Sequence, residues 1–295
     1  MNVSIPDVRV GEPTVCGGLF VFPLFGGNAN RLDYLLSEEA ILLGMVVVRE
    51  VSAAGSVNEL LVDNGGDKPV LFLEGQGFKG AKQDRVVRSS VLVAGRSQTR
   101  IPVSCVEKGR WWYESRKFKP GSCCPPSLRH LLKSGSPGGG TNQSQMWAEI
   151  QQRHRRLGVQ SRSANLSDAL DTHRGAVEDL QHRFSCPEGA SGIAVALDGK
   201  FACTDLLDKP ETLARIWHRL VQGISLDALE VRDSEPQPCA TSISARLYRL
   251  REKRWERINS VGMGEAYRAQ NDEGELATAL VVDGTLLHLS VSVAN

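Results

Sequence analysis

No stretch of this sequence is long and apolar enough to span a bilayer. The longest apolar run, Ala40 to Val48, is about half of the roughly 20 residues that a spanning helix requires. The opening residues, MNVSIPDVRVGEP, place Asp7, Arg9 and Glu12 where a secretory signal would keep its apolar stretch. There is no excess of one charge. The 35 Lys and Arg face 34 Asp and Glu, a formal net charge of +1, which argues against a general nucleic-acid binder but leaves room for a local anion site. No Cys-x-x-Cys pair occurs. The seven cysteines, Cys16, Cys105, Cys123, Cys124, Cys186, Cys203 and Cys239, are odd in number and scattered. That distribution fits reduced thiols in the cytoplasm better than a disulfide framework or a zinc site. The glycines around Ser134 to Gly140 lack the Gly-Lys-Ser/Thr ending and the preceding strand of a phosphate-binding loop.

What is present describes a globular chain. Its 295 residues are 41% hydrophobic and 23% charged, enough for one large domain or two ordinary ones. The pattern predicts an α+β fold. Residues 1–120 read as a β-rich half, an antiparallel sheet of sandwich or barrel-like form. Its strands are Gly18 to Phe25, Gly44 to Val51, Pro69 to Leu73, Arg85 to Val93 and Thr99 to Val106, separated by glycine-rich turns. Residues 121–145 hold Pro125-Pro126 and a Gly/Ser/Pro tract, and read as a flexible surface loop. Residues 146–295 read as an α+β half, continuous with the first or separate from it.

In that second half, Leu166, Leu170, His173, Val177, Leu180 and Phe184 step by three and four, as on one amphipathic helix. Another helix is expected near Ser144 to Leu157. A third follows Asp208 as N-cap with Pro210 in its first turn, and a fourth runs from about Ser242 to Arg257. Asp198-Gly199 and Asp283-Gly284, each between apolar runs, predict two hairpins lying side by side in one antiparallel sheet. The basic runs Arg153 to Arg156 and Arg246 to Arg254 read as solvated helix faces.

The densest polar segment lies between Leu73 and Trp112. There Lys82, Gln83, Arg85, Ser104 and Arg110 are candidates to hold phosphate or carboxylate groups, and Trp111 or Trp112 to stack on a flat base. Glu74 and Glu107 are candidate acid/base groups, suited also to stabilising an oxocarbenium-like centre. Cys105 is the best-placed thiol for a nucleophile, although none of the six histidines lies near it in sequence. The competing reading is that these charges pair with one another across a sheet, that the tryptophans are core and that Cys105 is an inert buried thiol. The histidines show no second ligand at metal spacing, and the residues specify no cofactor.

The segments Gly80-Ala81-Lys82-Gln83-Asp84-Arg85 and Pro102 to Trp111 resemble an uncharacterised bacterial domain family named for its association with ADP-ribosylglycohydrolases and rhodanese-like phosphatases. The resemblance continues through Ile193 to Gly199, the Trp217 helix and Ser260 to Glu265, with Asp84 where an Asn is expected. It implies a context of NAD and ADP-ribose metabolism and supplies no catalytic residues. Two functions are therefore expected as alternatives. One is binding or processing of an ADP-ribose/NAD-like nucleotide, by hydrolysis of a glycosidic or phosphate linkage. The other is a non-catalytic protein-interaction or scaffold module with a structural charge network.

Overall fold

The computed structural model describes residues 3–27, 32–135, 142–231, 240–271 and 274–294. The amino-terminal part carries β1 (Arg9–Val10), β2 (Thr14–Cys16), β3 (Leu19–Phe25), β4 (Leu35–Leu36), α1 (Ser37–Leu42), β5 (Val46–Glu50), β6 (Glu59–Asn64), β7 (Val70–Phe72), β8 (Gln76–Gly80), β9 (Arg85–Val87), β10 (Val91–Val93), β11 (Ser97–Cys105) and β12 (Phe118–Cys123). Then come α2 (Pro126–Lys133), α3 (Gln143–Arg156), α4 (Leu166–Thr172), α5 (Arg174–Arg183), β13 (Gly192–Leu197), β14 (Lys200–Leu207), α6 (Pro210–Ala228), α7 (Ala240–Glu252), β15 (Glu256–Ile258), β16 (Glu265–Gln270), β17 (Leu276–Val282) and β18 (Thr285–Ser292). The architecture is α+β with a β-rich amino-terminal half, as the sequence predicts.

Three sheets organise the chain. The largest runs β1-β3-β13-β14-β18-β17-β16-β15, with β2 also on β3. It joins both ends of the sequence, because β3 pairs with β13 from Gly192↔Leu24 to Leu197↔Leu19. A six-stranded sheet, β12-β8-β9-β11-β6-β5, and a three-stranded one, β10-β7-β4, complete the amino-terminal part. Among the described residues all pairings are antiparallel except β4 with β7.

Period-two alternation places the two faces of the large sheet in different cores. Leu19, Val21, Ile193 and Val195 pack with α6 residues Leu213, Trp217 and Leu220. Phe20, Phe22, Leu24 and Ala194 pack with α7 residues Ile243, Leu247 and Leu250. The two Asp-Gly hairpins form and lie side by side. Asp198 and Gly199 (φ +48° and +73°) and Asp283 and Gly284 (φ +49° and +75°) supply the paired left-handed residues of a two-residue turn.

Four local expectations are corrected. The segment expected to be a loop holds β12 and α2, because Pro126 occupies the first helical turn, where its missing N–H costs nothing, and Leu128 and Leu132 are buried. The glycine-rich tract 136–141 lies outside the described residues, as does Cys239. The stripe from Leu166 to Phe184 is broken at His173 into α4 and α5. Asp208 does not cap α6, whose N-cap is Lys209; its carboxylate accepts from Tyr34 Oη at 2.6 Å instead. Arg153 and His154 are buried rather than solvated, and Arg153 donates to Asp227 at 2.5 Å, tying α3 to α6.

Candidate functional site

The residues expected to form one polar cluster separate into two. The first surrounds Glu107. Arg110 donates through Nε to both Glu107 oxygens (2.9 and 3.0 Å), and through Nη2 to Oε2 at 2.6 Å and Asp84 Oδ1 at 3.3 Å. Glu107 Oε2 also accepts the Asp84 N–H at 3.0 Å, and Asn165 donates to Asp84 Oδ2 at 2.9 Å. Arg85 is fully buried, donates to Gln83 at 2.9 Å and lies 3.7 Å from Glu50. Lys82 donates to the Ala54 carbonyl at 2.9 Å.

Burial pushes the Glu107 carboxyl up, but hydrogen bonds from Arg110 and Ser163 outweigh it and hold the group below its ordinary value. Burial raises Asp84, which also sits beside Glu107. Arg110, Glu107 and Asp84 satisfy one another here, and the cavity beside Asp84 and Arg85 measures only about 20 Å³. Ser104 is buried on β11 opposite Val86. Trp111 and Trp112 are not core, being 43% and 64% exposed; Lys82 Nζ and the Arg85 guanidinium lie 5.2 and 5.5 Å from the Trp111 ring centroid. Cys105 is fully buried, its thiol pushed up to about 11 chiefly by burial, and its Sγ faces the Val57 carbonyl at 3.6 Å.

Glu74 belongs to a second cluster, built where the amino-terminal strands meet the large sheet. Across three adjacent strands Asp205 on β14 lies opposite Ser290 on β18, and Ser290 opposite Thr278 on β17. Residues directly opposite share a face, and His288, two residues before Ser290, shares it too. One face of an otherwise apolar sheet therefore carries a row of polar groups. Helix α2 lays Arg129 and Lys133 over this row, and the turn before β8 adds Glu74.

The contacts are close. Arg129 donates to both Asp205 oxygens at 2.5 Å and to Ser290 Oγ at 3.0 Å. Glu74 forms an ion pair with Lys133 and accepts from Ser290 Oγ at 2.9 Å and Thr278 Oγ1 at 2.7 Å. Gly75 adopts φ +82°, and a Cβ there would stand 3.1 Å from Arg129 Nε, so glycine permits both the turn and the approach of the guanidinium.

Glu74, Arg129, Lys133, Asp205, His288 and Ser290 are buried, which penalises charge. Burial raises Glu74 and Asp205, yet Lys133 and Arg129 outweigh it at Glu74, and Arg129 and His288 outweigh it at Asp205. Both carboxyls are held below their ordinary values, Asp205 far below. His288 Nε2 stands 3.1 Å from Asp205 Oδ1, and its Nδ1 2.7 Å from Ser90 Oγ. An ionised Asp205 can only accept, so Nε2 carries a proton, and in the neutral imidazole Nδ1 accepts from the Ser90 hydroxyl.

This layer floors a cavity of about 480 Å³ that touches Glu74, Arg129, Asp205 and His288. Its walls are apolar: Leu36 and Leu42 near α1, Leu71 and Leu73 near β7, Ile216 and Leu220 on α6. Near its mouth Arg219 pairs with Glu38 at 2.8 Å and Arg215 approaches Glu39 at 3.6 Å. Of the residues expected from sequence only Glu74 lines it. Asp205, His288, Arg129 and Lys133 were not anticipated. Their signal is a polar residue at every second position of a buried strand, as in Leu287-His288-Leu289-Ser290, together with a helix start at Pro126.

Among the described residues no group of three or more His, Cys, Asp or Glu side chains is arranged to hold a metal ion, and no helix is long and apolar enough to cross a membrane. No curated protein and no solved structure matches the chain. A family match does exist and covers nearly the whole sequence, residues 7–292. The chain belongs to the ARPP-1 family, the ARG and Rhodanese-Phosphatase-superfamily-associated Protein domain.

Proposed function

We propose that this protein binds an ADP-ribose/NAD-like nucleotide in the cavity above Glu74, Asp205 and His288, and processes it at a glycosidic or phosphate linkage. One observation carries the reading: an apolar cavity of about 480 Å³ ends on two ionised, buried carboxylates and an imidazole. That volume falls within the roughly 300–1,000 Å³ typical of small-molecule sites. The leucine and isoleucine walls suit a flat base. Arg215 and Arg219 near the mouth suit a pyrophosphate, whose charge would compete with Glu39 and Glu38 for them. The carboxylates suit ribose hydroxyls or a developing oxocarbenium centre. The family's association with ADP-ribosylglycohydrolases supports the same substrate class.

The test is a thermal-shift series with ADP-ribose, NAD and AMP. A ligand at about 100 times its dissociation constant adds roughly 2.7 kcal/mol of stability. A shift with ADP-ribose that disappears in Ile216→Trp, which fills the cavity, supports the reading. No shift with any of the three refutes it.

The Glu107 cluster favours a second reading for its own region, that of a structural charge network. Its cations already have carboxylate, carbonyl or amide partners, while exposed Trp111 and Trp112 would be the contact points of a protein-interaction module.

A further inference from the structure

A second cavity, of about 490 Å³, is lined by residues that include half-buried Ser90 and Thr278 and buried Lys133, with Arg88, Arg100 and Arg268 around them. We propose that this second cavity is an esterase site for carboxylic esters bearing a phosphate or carboxylate group, with Ser90 as nucleophile, His288 as base and Asp205 orienting the imidazole. His288 and Asp205 also floor the nucleotide cavity, so the two sites meet at the imidazole, but the proposal does not require that a nucleotide binds.

Three observations meet here. Ser90 Oγ, His288 and Asp205 form a continuous chain of 2.7 and 3.1 Å contacts, the arrangement that activates a hydroxyl wherever it occurs, whatever the order of residues in the chain. Ser90 Oγ also accepts the Glu74 N–H at 2.9 Å, which leaves its own proton to point at His288 Nδ1. Finally, the cavity is cationic and its charge is not fully spent. Among the described residues no carboxylate pairs with Arg88 or Arg268; the Arg88 Nε is buried without an acceptor, and Arg268 donates only to the Gly135 carbonyl at 3.0 Å. Arg100 lies 3.7 Å from Glu59. A buried guanidinium N–H without an acceptor, as at Arg88 Nε, calls for an anionic ligand.

The step balances without a further co-reactant than water. Ser90 Oγ bonds to the ester carbonyl carbon while its proton passes to His288 Nδ1. The imidazolium is stabilised by ionised Asp205. The carbon–oxygen bond to the leaving alcohol then breaks, and the alcohol departs with the proton from Nδ1. Water attacks the acyl-serine, gives its proton to Nδ1 and releases the acid, and the serine recovers its proton.

The experiment treats the full chain with an alkyl fluorophosphonate and follows its intact mass. The expected result is one phosphonyl group per chain, with fluoride released and the adduct mapped to Ser90, absent in Ser90→Ala and unchanged in Ser89→Ala. His288→Gln is expected to slow labelling by about 100-fold or more, the usual scale of a general base. Because His288 is buried, Arg88→Gln supplies an independent readout. It lowers kcat/KM for mono-4-nitrophenyl succinate relative to 4-nitrophenyl acetate by about tenfold, as loss of a hydrogen-bonded charge would. A cooperatively folded wild type that takes no label, or an adduct that persists in Ser90→Ala, overturns the proposal. Labelling at Ser90 without nucleotide binding would refute the nucleotide reading alone, and nucleotide binding without labelling would refute this one alone.

Discussion

Arg129 on α2 holds Asp205 on β14 through two parallel hydrogen bonds of 2.5 Å, and the same guanidinium stands 3.8 Å from Glu74. Lys133 and this guanidinium together hold Glu74 charged, and the guanidinium holds Asp205, beneath an apolar cavity. Lys133, one helical turn on, completes the balance at Glu74. The floor of the cavity and the seam between the amino-terminal strands and the large sheet are the same set of contacts.

Removing that cation should be costly. Arg129→Ala leaves Asp205 buried without its bidentate partner, and breaking a buried ion pair costs about 3–5 kcal/mol. Urea denaturation should show a loss of this size, with partial recovery in Arg129→Met/Asp205→Leu, where neither charge remains. A loss below about 1 kcal/mol would mean that the pair contributes as little as an exposed one.

The Glu107 network makes a different prediction. Glu107→Ala strands Arg110 and removes the acceptor of the Asp84 N–H, so stability should fall by about 3 kcal/mol. The response to nucleotide should stay as in wild type. Loss of nucleotide binding in a variant that remains folded would move the proposed site to Glu107.

Acid should act through the depressed carboxylates. Glu74 and Asp205 have lower pKa values folded than unfolded, so the unfolded chain takes up their protons first as pH falls. Their contribution to stability is fully present above the ordinary carboxylate range of about 4, and is lost as pH falls through and below it. Asp84, whose pKa is raised, works in the opposite direction. Asp205→Asn should therefore flatten the acid limb of the stability–pH curve, and Asp84→Asn should not. Stability curves measured from pH 7 to pH 2 would decide this, and an unchanged acid limb in Asp205→Asn would contradict it.

Cys105 should be unreactive. Its thiol is buried and pushed up to about 11, and the thiolate is the reactive form. Iodoacetamide at pH 8 should leave Cys105 unmodified in the native protein and alkylate it after denaturation. Rapid native alkylation at this position would restore it as a candidate nucleophile.

The sequence made some elements easy to read and others hard, for physical reasons. The Asp198-Gly199 and Asp283-Gly284 hairpins were legible because the turn needs two left-handed residues and Asp-Gly supplies them. Helix α2 was hidden by composition: prolines and glycines on either side masked Leu128 and Leu132, although Pro126 at a first turn starts a helix rather than breaking one. Glu74 was singled out, but placed with Glu107 by proximity in sequence. Its partners Thr278 and Ser290 come from strands more than two hundred residues away, brought together only by the β18-β17 register. His288 sat in an apolar strand whose period-two polar positions carry the information, and such positions are visible only once the strand is known to be central.

Calorimetric titration of the full chain with ADP-ribose tests the central claim most directly, with Ile216→Trp and Trp111→Ala measured beside the wild type. The account predicts one site per chain in the wild type, preserved in Trp111→Ala and abolished in Ile216→Trp. Absence of binding to the wild type, or binding that survives Ile216→Trp and is lost in Trp111→Ala, would contradict it.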